Sequence, residues 1–153
     1  MAHVELSLSG AFVPQARTPA EAEFVASADR WRSTVSTAFE PCLVIDLDGT
    51  ITAVSLSCSE LLGLGKPAEA IGRDLGGALH LIDFTAGASV LEDPEAEKIP
   101  PLLAVRSERL ARGLMRVLPS PEDSPLTVDA IATPLLDGDR VIGSLTFFSP
   151  VRY

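Results

Sequence analysis

Two Asp-Gly steps, Asp48-Gly49 and Asp137-Gly138, each stand between runs of apolar and β-branched residues. An Asp-Gly step in that setting is a strong hairpin signal, because two-residue turns need a positive φ that glycine adopts without strain. The first step predicts a hairpin joining Cys42–Asp46 to Thr50–Leu56. In the second of these runs Ile51, Val54 and Leu56 alternate imperfectly, which predicts a bulge or an early end. The second step joins Leu126–Leu136 to Arg140–Phe148, with Leu114–Leu118 as a further strand before them. Val128, Ala130 and Ala132 are spaced to share one buried face, and so are Val141, Gly143, Leu145 and Phe147. Pro134 argues for an edge position or a bulge in its strand.

Helices are expected before and between these strands. Thr18-Pro19-Ala20-Glu21 has the form of a capping box with proline at the first helical position. Phe24, Val25, Ala28, Trp31, Val35 and Phe39 then recur at helical spacing, predicting an amphipathic helix over residues 19–39 that ends near Glu40-Pro41. Residues 1–18 lack a sustained period and read as an arm. From Ser57 to Phe84 repeated glycines allow only short helices. A longer helix is expected from Asp93 or Pro94 to Ala111, with Gly113 suited to its end. The stretch from Pro119 to Pro125 is a polar loop. The order gives an α+β fold: five antiparallel strands, one face covered by the helices between the second and third.

A chain of 153 residues buries one core, and 21 acidic against 12 basic residues leave a net charge of -9. That field repels phosphate backbones and anionic lipid surfaces, which argues against direct nucleic-acid binding. No apolar run approaches the roughly 20 residues that span a bilayer, so no membrane contact and a cytoplasmic location are expected. Cys42 and Cys58 stand in no metal or redox spacing and read as small buried residues.

The stretches PCLVIDLDGTITAVS, CSELLGLGKPAEAIGRDL and LTVDAIATPLLDGDRVIGSLTFFSP, in that order, resemble the PAS domain family of small sensor modules. The likeness runs from about Phe39 to Val151, so residues 40–153 form the expected PAS-like domain. It implies a five-stranded antiparallel sheet with a cavity between its inner face and the connecting helices, holding haem, flavin or a metabolite. It also implies a homodimer formed through the N-terminal amphipathic helix, with Phe24, Val25, Ala28, Trp31 and Val35 at the interface. For Trp31 the alternative is packing on its own domain. The sequence departs from two subfamilies: neither cysteine lies in an Asn-Cys-Arg motif, and residues 93–113 contain no histidine, so no cofactor is assigned.

Four groups of residues compete for a role. His80 lies among apolar neighbours and reads either as an ordinary histidine or as a haem ligand. Arg106, Arg109, Arg112 and Arg116 concentrate positive charge; on a helix the first three would form a stripe, either a solvated face or contacts to an anionic ligand, chiefly through Arg106 and Arg109. Asp46-Leu47-Asp48-Gly49-Thr50 after an apolar run also resembles the first motif of haloacid-dehalogenase-like phosphatases, in which two aspartates and Mg²⁺ serve phosphoryl transfer. That chemistry needs a parallel βα scaffold and further residues, whereas here a strand follows directly. His3 and His80 alone support no Ser/His/Asp arrangement. The expected function is a non-enzymatic sensor that binds a small molecule or a separate regulatory protein and signals by contact, with a ligand-free interaction module and the phosphatase as alternatives. Residues 63–77 and 119–125 are its candidate movable parts.

Overall fold

A computed structural model describes residues 19–152, with side chains from residue 28 onward. The arm expected over residues 1–18 lies outside the described residues. Strands β1 (Cys42–Asp46), β2 (Ile51–Val54), β3 (Ala111–Val117), β4 (Leu126–Asp137) and β5 (Arg140–Pro150) form one antiparallel sheet in the order β2-β1-β5-β4-β3. Helix α1 (Pro19–Ser36) precedes it. Between β2 and β3 the chain crosses the sheet through α2 (Leu56–Leu62), α3 (Pro67–Ala70), α4 (Leu75–Ala78), α5 (Asp93–Ala96) and α6 (Pro100–Ser107). The five-stranded α+β architecture is the expected one.

The hairpin turn between β1 and β2 is built by Asp46. Its Oδ1 accepts the backbone N–H groups of Asp48 at 2.9 Å and Thr50 at 3.0 Å, while Gly49 takes a φ of +84°. Its pairing carries a register shift between Val44 and Ile45, and β2 ends at Val54, where Ser55 caps α2.

The sheet is covered on both sides. Leu43, Ile45, Val128, Ala130 and Phe148 face the helices between β2 and β3 and form the main core with Leu62, Leu64 and Leu75. Cys42, Val44, Ala53, Leu135 and Leu145 point the other way and pack with Val35 and Trp31 of α1. Trp31 thus packs on its own domain. This two-sided burial corrects the expectation for β5. Val141, Gly143 and Leu145 are buried as expected, Leu145 on the α1 side, whereas Phe147 is 43% exposed; Ser144, Thr146 and Phe148 are buried as well, facing the helices. β5 lies between β1 and β4 at the sheet's centre, so both of its faces are buried, Ser144 and Thr146 on one and Leu145 on the other, and a reading with one buried face misses this.

Pro134 behaves as expected of its residue type. β3 stops pairing at Ala111–Ala132, so Pro134 needs no donor on that side, and the register shifts between Leu135 and Leu136.

Three helix boundaries differ from the sequence reading. α1 stops at Ser36, and Phe39 is 93% exposed rather than on an apolar stripe. The hydroxyls of Ser36 and Thr37 donate back to the carbonyls of Arg32 and Ser33, a competition that weakens a helical end. The single helix expected from residue 93 to 111 is two helices, because Ile99 is extended before Pro100 and Pro101, which open α6. α6 ends at Ser107, with Glu108 left-handed at φ +59°. Gly113 consequently lies inside β3, opposite Ala130, and caps no helix.

Among the described residues no helix is long and apolar enough to cross a membrane.

Candidate functional site

Small residues decide where space remains. Ala104 of α6 packs against Ala111 and Ala132 of the sheet, and the Ser144 hydroxyl donates to the Pro101 carbonyl at 2.8 Å. α6 is therefore drawn tightly onto the sheet. The open volume lies beside it, as a cleft of about 1020 Å³ bounded by the β1–β2 turn, α4, the segment 79–91, α5 and the outward flank of α6. Leu79 and Leu81 supply buried floor, and Leu102 and Val105 supply the half-buried α6 wall. Asp48, Asp74, Asp93 and Glu97 stand around them.

One wall is a short flap. Ile82 bridges to Val90, Leu91 donates to the Leu81 carbonyl, and Asp83 donates to the Ser89 carbonyl. The flap's base is tied by Arg116, whose Nη1 donates to the carbonyls of Asp83 and Thr85 at 3.1 and 3.0 Å. The Thr85 hydroxyl and amide both donate to the Asp83 carboxylate, and they hold its carboxyl below the usual range. Ala88 takes a φ of +47° here, an uncommon conformation for a residue with a β-carbon.

The structure separates the arginines that the sequence grouped. Because α6 ends at Ser107, Arg106, Arg109 and Arg112 share no helical stripe. Arg106 lines the cleft, with Nη2 donating to the Glu97 carbonyl at 3.3 Å and lying 3.7 Å from its carboxylate. Arg109 follows α6, is exposed, and is not among the cleft's lining residues. Arg112 pairs with Asp129 across β3 and β4 at 2.7 Å, an exposed bond that lowers the Asp129 carboxyl. Arg116 holds the flap.

His80 is exposed at the cleft, and its backbone carbonyl accepts the Leu118 N–H. Among the described residues no hydrogen bond orients its ring, whereas a metal-ligating imidazole is normally held by its second nitrogen. Cys42 and Cys58 are buried away from the cleft, and burial raises both thiols. Neither is placed to bond a flavin there. Asp46 and Asp48 border the cleft, but in an antiparallel hairpin, with Asp46 Oδ1 committed to the turn. Among the described residues no group of three or more His, Cys, Asp or Glu is placed to hold a metal ion. No observation supports the phosphatase alternative.

Of the α1 residues, Val35 is 2% exposed against the chain's own sheet and Trp31 is half-buried there, while Ala28 is half-buried. The side chains of Phe24 and Val25 lie outside the described residues. Sequence reasoning missed the cleft's apolar walls, since Leu79, Leu81, Leu102 and Val105 read locally as helix or loop core.

A family model described as PAS fold matches residues 29–151. Among solved structures, the PAS domain of a protein from Colwellia psychrerythraea superposes with a TM-score of 0.56 at 20% identity, covering 80% of this chain and 95% of that one. The PAS domain of an HTR-like protein from Haloarcula marismortui gives 0.53 at 15% identity, with 88% and 100% covered. VqmA of Vibrio cholera, in a complex with ligand and DNA, gives 0.55 at 17% identity, with 79% of this chain and 50% of that one covered. Among curated proteins no sequence matches.

Proposed function

Because the chain belongs to the PAS fold family, we propose that it is a cytoplasmic sensor module whose cleft takes a small molecule and whose signal passes by contact to a separate regulatory protein. The observation that carries this reading is the cleft of about 1020 Å³ with an apolar floor beside α6. That size is at the upper end of the range common for small-molecule sites, about 300–1,000 Å³. The flap borders it, so occupancy could bias the flap's position and the surface a partner meets. VqmA, of the same fold, is described in complex with a ligand. In this reading residues 19–39 also join two protomers, through Phe24, Val25, Ala28 and the exposed part of Trp31.

Native mass spectrometry of the purified chain tests it. The expected result is an adduct of small-molecule mass that is lost from Val105→Trp, which fills the cleft wall. An adduct that persists in this variant, or a protein that carries none and takes up nothing from a metabolite mixture, overturns the reading.

A second reading, a ligand-free interaction module, is favoured by a different surface. Ile131 and Phe147 are paired neighbours on the sheet face away from α6, 37% and 43% exposed, and Leu114 nearby is 52% exposed. An apolar group of this kind beyond the edge of α1 suits a protein contact.

A further inference from the structure

The charge lining the cleft says which small molecules it takes, if the cleft is the site proposed above. Asp46, Asp48, Asp74, Asp93 and Glu97 border it, against one guanidinium, that of Arg106. Among the described residues the Asp, Glu and Arg side chains thus leave four net negative charges around the cavity. The cavity and its apolar floor are independent of those carboxylates, and it is the cavity that points to a ligand.

Arg106, the one cation at the cleft among the described residues, donates to the Glu97 carbonyl and lies 3.7 Å from the Glu97 carboxylate, so its charge is partly balanced, and an anion on its remaining N–H groups would lie among the other carboxylates. The carboxylates differ in what they have left to offer. Asp46 and Asp74 each commit one oxygen to backbone N–H groups, Asp74 through Oδ2 to Gly77 at 2.9 Å. Asp48 and Asp93 form no salt bridge among the described residues. A bound cation would meet free carboxylate oxygens on the turn side and the α5 side of the cleft, with Leu79, Leu81, Leu102 and Val105 left for an apolar body.

We propose that the cleft selects an organic cation: an amphiphile with an ammonium or amidinium head at the acidic rim, on Asp48 or on Asp93, and a hydrocarbon or aromatic body against the apolar floor. A carboxylate or phosphate of the same shape is rejected by the rim. The selection is electrostatic and partly solvent-exposed, so it weakens as salt is added.

Titration calorimetry on the full chain with 4-phenylbutylamine, 4-phenylbutanol and 4-phenylbutyrate, near-isosteres of different charge, tests this. The amine is expected to bind about tenfold more tightly than the alcohol, the gain of roughly one charge contact near a protein surface, and the carboxylate more weakly than both. In the double variant Asp48→Asn/Asp93→Asn the amine's advantage over the alcohol should vanish while alcohol binding is kept, and added salt should erode the same advantage. Equal binding of the three probes, or preference for the carboxylate, overturns the charge selection and leaves the cleft as a binding site. Failure of all three to bind overturns both.

Discussion

Gly63 packs its α-carbon directly onto the backbone of Pro119: a β-carbon there would overlap the Pro119 carbonyl, and Gly63 holds a φ of +71° at the end of α2. The two segments that the sequence marks as movable, the glycine-broken stretch and the polar loop after β3, thus meet at one point. Gly138 takes a similar φ of +64° in the β4–β5 turn but has open space around it.

The pair makes an internal control. Gly138→Ala should cost about 1–2 kcal/mol, the left-handed strain alone. Gly63→Ala adds a clash with main chain that cannot swing aside, so its cost should be about 3 kcal/mol or more. Urea denaturation of the two variants compares them directly; equal costs would mean the Pro119 loop yields freely.

Ser55 is a buried junction. Its hydroxyl donates to the Glu40 carbonyl at 2.9 Å and accepts the N–H groups of Cys42 at 3.0 Å and Cys58 at 3.2 Å, tying the start of β1 to the cap of α2. Ser55→Ala leaves buried donors without a partner and should destabilise by about 2–3 kcal/mol, read from the denaturation midpoint. Ser55→Thr, which keeps the hydroxyl, should recover part of that.

The Asp46 turn needs an acceptor rather than a charge. Asp46→Asn should be nearly neutral in thermal stability, and Asp46→Ala should cost about 1 kcal/mol through loss of both backbone contacts. A large loss in Asp46→Asn would assign its carboxylate a role beyond the turn.

Acid should loosen the flap. The Asp83 carboxyl is lowered by the Thr85 hydroxyl and amide, so its contribution is complete above the unfolded carboxylate value of about 3.9 and is lost as pH falls below it through the folded value. Asp129, lowered by Arg112, follows the same sign. Amide exchange over residues 83–90, corrected for the intrinsic pH dependence, should lose protection below about pH 4 and be unchanged by pH between 5 and 8, where both groups stay ionised. Asp83→Asn should show the loosened flap already at neutral pH.

Cys42 and Cys58 are 1% and 0% exposed, and burial raises both thiols. Thiol reagents should label neither in the folded protein and both on unfolding. Rapid labelling of Cys58 under native conditions would show that α2 opens readily from the core.

The sequence by itself determined the hairpins and the closing strands. Asp48-Gly49 and Asp137-Gly138 act over two residues, and Val128, Ala130 and Ala132 carry the two-residue period of a strand on their own; such local signals survive in any context. The order of these elements was enough to bring the PAS resemblance into view. Tertiary structure decided what local patterns cannot encode. β5 lies at the sheet's centre, so Leu145 and Phe148 are buried on opposite faces, which a reading with one buried face misses. Arg106 and Arg109, three apart in sequence, part company because Pro100 and Pro101 start a helix too short to carry both. The cleft exists because Ala104, Ala111 and Ala132 let α6 close on the sheet and displace the free volume to its flank. Its carboxylates come from the β1–β2 hairpin, the start of α4 and α5, which only chain packing brings to one cleft.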